Sequence, residues 1–325
     1  METRTIPRLA RDVSVVGLGT WQLGADWGDV DPEDARATLE AAHDAGVTFY
    51  DTADVYGDGR SERFVGAFAA AHPDVFVATK MGRRAEQTLE NYRAENFDSW
   101  NARSRENLGV DTLELVQLHC PPDPVFTNPA VYEALDAMVA DGRIAAYGVS
   151  VETCAQALEA IARPHVATVQ IILNCFRLKP LEQVLPAAAE SGVGIIVRVP
   201  LASGLLSGRY DEHTQFAPND HRNYNRRGEQ FDVGETFAGV PFEVGLQGVA
   251  ELKKLLGPDQ SLARFALRWV IDQPGVSTVI PGARNPDQAR QNAAAASEPP
   301  LSEGQLAGVR EVYDRLIREH VHDRW

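Results

Sequence analysis

A carboxylate, a phenol, an amine and an imidazole stand at or just past the ends of three successive apolar runs. Asp51 closes VTFYD (47–51) with Tyr56 five residues on, Lys80 closes VFVATK (75–80), and His119 closes LELVQLH (113–119). Each run is short, rich in β-branched or aromatic residues, and separated from the next by a helix-like segment. In a chain that alternates strand and helix, the strands lie parallel and open their carboxyl ends on one face. The four groups are therefore expected to converge on one mouth. Together they can protonate or deprotonate an oxygen while a partner molecule carries a hydride. Any one of them alone reads as an ordinary polar residue at a strand end; the set of four points to a site.

The elements that must position them follow from period. Eight apolar runs, 13–18, 47–51, 75–80, 113–119, 144–149, 168–173, 194–199 and 276–281, alternate with helical patterns. The pattern at 31–46 has Asp31 as N-cap, Pro32 at the first helical position and Gly46 as the stop. Similar helices fit 61–71, 98–108, 129–141, 153–162, 181–191 and 286–296. Eight such repeats with no linker and no shift of composition predict an α/β fold, one (β/α)8 barrel domain over 1–325. Residues 1–12 are expected to form a hairpin plugging the bottom. An added helix over 259–273 and an amphipathic helix over 301–318 complete the chain. The polar stretch 209–243 after the seventh strand is expected to be a long loop, of the kind that serves as a lid.

Composition bounds the rest. The chain has 325 residues and a net charge of −15, from 46 acidic and 31 basic residues, which argues against nucleic acid or anionic membrane as partners. It has no long apolar stretch, and its charged opening predicts no secretory signal. The three cysteines Cys120, Cys154 and Cys175 form no CxxC, which suits a reducing cytoplasm. No metal site is expected, because Cys120 follows His119 directly and strand neighbours point to opposite faces. Only four of the basic residues are lysines (Lys80, Lys179, Lys253, Lys254), so an amine at position 80 is conspicuous. It is a compact charge with a tunable pKa, unlike guanidinium.

Three further segments bear on a ligand. GLGTWQLG (17–24) supplies Gly17 and Gly19 but has Gln22 where a dinucleotide fingerprint needs its third glycine, so any dinucleotide binds without a Rossmann unit. IPGARNPDQARQN (280–292) ends the eighth strand and opens a helix at Asn285-Pro286. That is a common phosphate site in barrels, with Arg284 able to fork onto a phosphate and Gln288 and Asn292 one turn apart on the helix. PLASGLLSGR (200–209) is glycine-rich backbone that a pyrophosphate can approach closely.

With these in place the chain resembles the aldo-keto reductases over nearly its whole length. Asp51, Tyr56, Lys80 and His119 match that family's tetrad, and FYDTADVYGDGRSE, LVQLH, YGVS, PLASGLLSG and IPGARNPDQ match further motifs in order. The resemblance implies a (β/α)8 barrel that binds NADPH or NADP+ extended across its mouth. Ser150, Gln170 and Asn174 would contact the nicotinamide carboxamide, and Arg284, Gln288 and Asn292 the adenosine 2′-phosphate end. Further implied cofactor contacts are Gly19, Thr20, Trp21, Asp51, Arg198, Pro200, Leu201, Gly204, Leu206, Gly208, Ile280 and Gly282. Two departures stand out: Val151 follows GVS where the family often has Asn, and Arg198 stands where an aromatic commonly stacks on the nicotinamide. Arg198 could stack, bind an anionic substrate group, or be tied to a nearby carboxylate.

The resemblance also implies the chemistry. Tyr56 would protonate the carbonyl oxygen, Lys80 would lower the phenol's pKa, Asp51 would hold Lys80, and His119 would orient the carbonyl. The reaction would reduce an aldehyde, ketone or sugar, or run in reverse on an alcohol. Rival readings are a Schiff-base aldolase using Lys80 and a slow, redox-sensing NADPH-binding subunit. Trp21, Trp27, Phe126, Phe176 and Tyr224 are candidates for an aromatic pocket wall. The 209–243 loop carries Arg209, Arg222, Arg226 and Arg227; lacking apolar periodicity, part of it is expected to be mobile until a bound cofactor lets it fold over. Substrate identity and oligomeric state stay open.

Overall fold

The computed structural model describes residues 1–24, 31–218 and 220–325. Two short antiparallel strands, β1 (Thr3–Ile6) and β2 (Arg11–Ser14), come first. Eight parallel strands follow in chain order: β3 (Leu18–Gly19), β4 (Phe49–Asp51), β5 (Phe76–Met81), β6 (Leu113–His119), β7 (Ile144–Ser150), β8 (Val166–Ile172), β9 (Gly194–Arg198) and β10 (Val276–Val279). Each pairs with its neighbour in sequence, and the two ends meet. Gly17 N–H donates to Val279 O at 2.8 Å, Val279 N–H donates to Val15 O at 3.0 Å, and Gly19 bridges to Gly282. The sheet thus closes as a (β/α)8 barrel, as expected.

The hairpin runs two residues further than expected, to Ser14, because the apolar run 13–18 is divided between two jobs. Val13 joins Ile6, Phe49, Phe76, Leu115 and Ile196 in a cluster inside the barrel bottom, while Val15, Val16 and Leu18 belong to the main core. The plug sits close against the wall: a Cβ on Gly194 would lie 2.7 Å from Ile6 Cγ2. Arginines fasten it, Arg8 donating to Arg163 O and Val166 O at 2.7 Å each and Arg4 to Val276 O at 2.7 Å.

Helix starts follow local chemistry. The Asp31 side chain accepts the Glu33 N–H at 2.8 Å ahead of helix Pro32–Asp44, and Gly46 takes φ +90° just past its end. One assignment is corrected. The helix Leu262–Ile271, expected to be an addition, is the barrel's own layer against β10; the added helix is Phe242–Lys253, which packs on the C-terminal helices. Its glycines, Gly245 and Gly248, blunted its apolar pattern. Among the described residues no helix is long and apolar enough to cross a membrane.

The parallel register sets the site. Gly19 pairs with Asp51, Lys80 with Gln117, His119 with Ser150, Ser150 with Gln170, and Ile172 with Arg198. One rim of the barrel therefore carries every polar strand-end residue singled out above.

Candidate active site

Asp51 ends β4, Lys80 lies one residue short of the end of β5, and His119 ends β6. Tyr56 sits in the turn after β4, which Asp58, Gly57 and Gly59 shape with positive φ. That turn is pressed on the 17–24 segment: a Cβ on Gly57 would overlap Gly24 O at 1.8 Å, so only glycine fits.

Asp51 and Lys80 are almost fully buried and directly ion-paired, and the Lys80 Nζ also donates to Thr52 O at 2.9 Å. The other Asp51 oxygen accepts from Gln117 Nε2 at 3.0 Å and Gln170 Nε2 at 2.8 Å. A buried carboxylate needs this saturation, because an unpaired one would cost several kcal/mol, on the order of 3–5. Lys80 Nζ stands 5.2 Å from the Tyr56 ring centroid, and the His119 ring meets Tyr56 edge-on at 5.9 Å.

Burial would lower the Lys80 ammonium, but Asp51 and Tyr56 together more than offset it, so the amine's pKa is raised and it stays charged. Burial raises the Tyr56 phenol above its ordinary value and Lys80 only partly opposes this, so the net shift is upward. This corrects the expectation of a lowered phenol pKa: desolvation of the phenolate outweighs one neighbouring cation. His119 is pushed well below its usual value by burial and then by Arg83, Lys80 and Arg198, so its imidazole is neutral.

A cavity of about 460 Å³ runs from this cluster across the barrel mouth. Asp51, Tyr56 and His119 line it; Lys80 lies behind them. Of the residues implied as cofactor contacts, Gly19, Thr20, Trp21, Ser150, Gln170, Arg198, Pro200, Leu201, Gly204, Ile280, Gly282, Arg284, Gln288 and Asn292 line it too. Leu206 and Gly208 do not. Leu206 is buried in the core, and Gly208 turns away, its carbonyl accepting from Lys253 Nζ at 2.9 Å. Asn174 is also off the wall, its amide spent on Val199 O and Phe176 N–H at 2.9 and 2.8 Å.

That Asn174 bond has a purpose. Val199, Ala202 and Ser203 all take positive φ (52°, 47° and 53°), conformations costing roughly 1–3 kcal/mol each for residues with a Cβ. The strained backbone forms the cavity floor beyond β9. At the outer end the cavity is basic, with Arg209, Arg222, Arg264 and Arg284 on its walls. There Asn285 caps helix Pro286–Ala294 by accepting Gln288 N–H at 2.9 Å, Gln288 Oε1 accepts Arg284 N–H at 2.9 Å, and Asn292 Nδ2 donates to Gly282 O at 3.1 Å. The amides expected to face a ligand thus also brace the turn that carries Arg284.

Arg198 is tied to a carboxylate, the third of its expected fates. Its Nη2 donates to Glu152 Oε2 at 2.8 Å and to Val151 O at 3.0 Å, and its Nη1 lies 3.5 Å from Glu235 Oε1. Arg83 Nη2 completes the cluster, 3.3 Å from Glu235 and 3.6 Å from Glu152. Cys120 joins it, 3.6 Å from Arg198 Nη2 and 3.3 Å from Ser150 Oγ. The argument from strand alternation fails here: Cys120 leaves β6 with φ +47° and lines the same cavity as His119. Among the described residues, Cys120, Glu152 and Glu235 lie close enough together to hold a metal ion. Two guanidiniums already neutralise those carboxylates, and burial lifts the Cys120 thiol to about 12, so the donor set suits a cation poorly.

The 209–243 stretch is not the unsupported loop expected. Tyr210, Phe216, Phe237 and Phe242 pack edge-on or tilted at centroid distances of 5.2, 5.7 and 5.1 Å along the series. Arg222 lies 4.6 Å over Phe216, and Arg226 lies 5.3 Å over Phe242. Aromatic residues at irregular spacing make a cluster that no periodicity reveals. Of the aromatic candidates for the pocket, Trp21 lines it, with His221 5.0 Å from its ring. Phe126 and Phe176 are core residues, Tyr224 packs on Phe231, and Trp27 lies outside the described residues.

Sequence reading missed Gln117, Cys120 and Glu235. Gln117 was within reach, since it lies two residues before His119 and so on the same strand face. Glu235 gave no signal, being one acid in a loop. One more buried group affects stability. Asp54 is fully buried, neither of its carboxylate oxygens has a hydrogen-bond partner among the described residues, and burial, then Glu62, raises its pKa to about 7. The native state then binds the more protons between about pH 4 and 7, so stability falls as pH rises through that window. Asp54→Asn is expected to raise the melting temperature at pH 8 and leave it little changed at pH 4; an equal shift at both would show that Asp54 is ionised throughout.

Residues 15–314 match the model for the aldo/keto reductase family. The aldo-keto reductase YhdN of Bacillus subtilis is 31% identical over 298 residues, covering 89% of this chain and 86% of that protein. The structure of the glycerol dehydrogenase of Gluconobacter oxydans superposes with a TM-score of 0.79 at 30% identity, covering 97% of this chain and 96% of that one. An aldo-keto reductase from Klebsiella pneumoniae solved with NADPH shares the fold, with a TM-score of 0.69 at 24% identity over 96% of each chain.

Proposed function

Because the chain belongs to the aldo/keto reductase family, we propose that it transfers a hydride reversibly between NADPH and the carbonyl of an aldehyde, ketone or sugar, with Tyr56 as general acid and base. The observation that carries this reading is the Tyr56 phenol, set between the Lys80 ammonium and the neutral His119 imidazole at the inner end of a cavity whose outer end is basic. The donor set fits the cofactor. Arg284 and its capped helix N-terminus suit a 2′-phosphate, the backbone of 200–204 a pyrophosphate, and Ser150 and Gln170 a carboxamide. When bound, the nicotinamide supplies the hydride.

The chain's own residues do the rest. His119, being neutral, donates an N–H to the carbonyl oxygen and fixes its direction. Tyr56, protonated at neutral pH, gives its proton to that oxygen as negative charge develops. Lys80 then stabilises the phenolate left behind, a role in which an ammonium 5.2 Å from the ring is most effective in a buried site. Asp51 keeps Lys80 charged and in place, and Gln117 and Gln170 hold Asp51. The aldolase reading loses support, since Lys80 is ion-paired behind the cavity wall rather than on it.

A panel of aldehydes, ketoses and hydroxysteroids, followed at the nicotinamide absorbance with NADPH and NADH, tests the proposal. No turnover above background with either cofactor would overturn it, and turnover too slow for metabolism would favour a redox-sensing subunit. Arg284→Ala is expected to weaken NADPH about 10–150-fold, the worth of a charge-assisted hydrogen bond of roughly 1.5–3 kcal/mol, and to leave NADH little changed. Equal losses for both cofactors, read by fluorescence titration, would remove the 2′-phosphate assignment.

A further inference from the structure

Beside Tyr56 and His119 the cavity wall is built by charges that cancel. Arg83 and Arg198 face Glu152 and Glu235, two cations against two anions. Arg198 and Glu235 both lie beside Cys120 and line the cavity that Cys120 and His119 also line. The long loop carries Glu235 to this position, where Ser203 clasps it: Ser203 Oγ donates to Glu235 O at 2.8 Å and accepts Phe237 N–H at 3.1 Å. Both guanidiniums approach one oxygen of Glu235, Oε1, at 3.3 and 3.5 Å. No side-chain hydrogen bond reaches its Oε2 among the described residues, and Arg198 Nη1 makes none closer than its 3.5 Å approach to Glu235. The wall thus offers an acceptor and a donor side by side at no net charge.

Resting on the reductase reading above, we propose that Glu235 and Arg198 select small neutral hydroxy-carbonyl substrates, in which a hydroxyl on the carbon beside the carbonyl donates to Glu235 Oε2 and accepts from Arg198 Nη1. A hydroxyl is the group that can do both at once. An alkyl group in its place strips water from a carboxylate and a guanidinium without replacing its hydrogen bonds, which is costly. A carboxylate in its place meets Glu235, and the guanidiniums that could have received it are already neutralised. Arg198 and Glu235 line the same cavity as Tyr56 and His119, and the cluster's charges are felt at the reacting groups, Glu235 and Arg83 at Tyr56 and Arg83 and Arg198 at His119.

Two matched sets, each an isosteric hydroxylated and plain pair with an anionic member of similar size, test this with saturating NADPH: hydroxyacetone, butanone and pyruvate, and glycolaldehyde, propanal and glyoxylate. In each set the hydroxylated member is expected to lead in kcat/KM by at least about tenfold, the scale of a hydrogen bond to a charged group. In Glu235→Ala the ratio of hydroxylated to plain substrate should fall towards one, and the ratio of anionic to plain substrate should rise, because one carboxylate then faces two guanidiniums. Glu235→Gln keeps an acceptor and loses the charge, so it should retain part of the first ratio and raise the second. These are ratios within one protein, so a general loss of activity does not blur them. Equal kcat/KM for hydroxylated and plain members in the wild type, a preference for the anions, or unchanged ratios in Glu235→Ala would overturn the inference and leave the reductase reading intact. No turnover with any of the six, beside turnover of another member of the wider panel, would likewise overturn the inference alone.

Discussion

Tyr56→Phe is expected to lower carbonyl reduction by about a hundredfold or more, since positioned acid–base catalysis contributes roughly 10²–10⁴-fold. The substitution keeps the ring, and with it the edge-on contact to His119 at 5.9 Å, and removes only the proton donor. Cofactor affinity should stay near the wild-type value, because Arg284 and the other arginines suited to the cofactor's phosphates line the outer end of the cavity. The loss should fall on kcat more than on KM, as an interaction made in the transition state requires. Steady-state rates beside a fluorescence titration of NADPH separate the two. Turnover close to the wild type would rule Tyr56 out as the acid.

Lys80→Met should be as damaging to the rate and, unlike the tyrosine variant, also to stability. The ammonium is the partner of a carboxylate that is almost fully buried, and breaking a buried pair typically costs about 3–5 kcal/mol. Gln117 and Gln170 still donate to Asp51, which places the expected loss towards the lower end. A double variant, Asp51→Asn with Lys80→Met, removes the orphaned charge. It should recover much of the stability by urea unfolding while remaining as slow as the single variant. If the single variant kept its activity, Lys80 would have no part in stabilising the phenolate; if the double variant recovered both, the pair would be structural.

Much of this was readable from the chain itself. Eight short β-branched runs spaced by capped helical patterns dictate a parallel barrel, because strand period and helix period are local properties of the chain. A barrel then fixes where strand ends go, so Asp51, Lys80 and His119 at three run ends, with Tyr56 just past one of them, had to share a rim. The capped turn at 280–292 was likewise legible, since Asn285, Pro286 and Arg284 act through neighbouring backbone. What the tertiary structure decided was everything that depends on groups distant in sequence meeting out of water. Whether Tyr56 is a stronger or weaker acid than free phenol turned on burial against one cation, and burial won. Arg198, left with three fates by its position, was settled by Glu152 and Glu235, 46 and 37 residues away on either side of it. Cys120 reached the cavity through one positive φ that strand alternation does not foresee. The 209–243 stretch found its order in aromatic residues too irregularly spaced to show a period. Short-range order is written in the spacing of residue types, whereas charge state, ion-pair partners and loop packing come from dielectric and contacts that exist only once the chain has closed on itself.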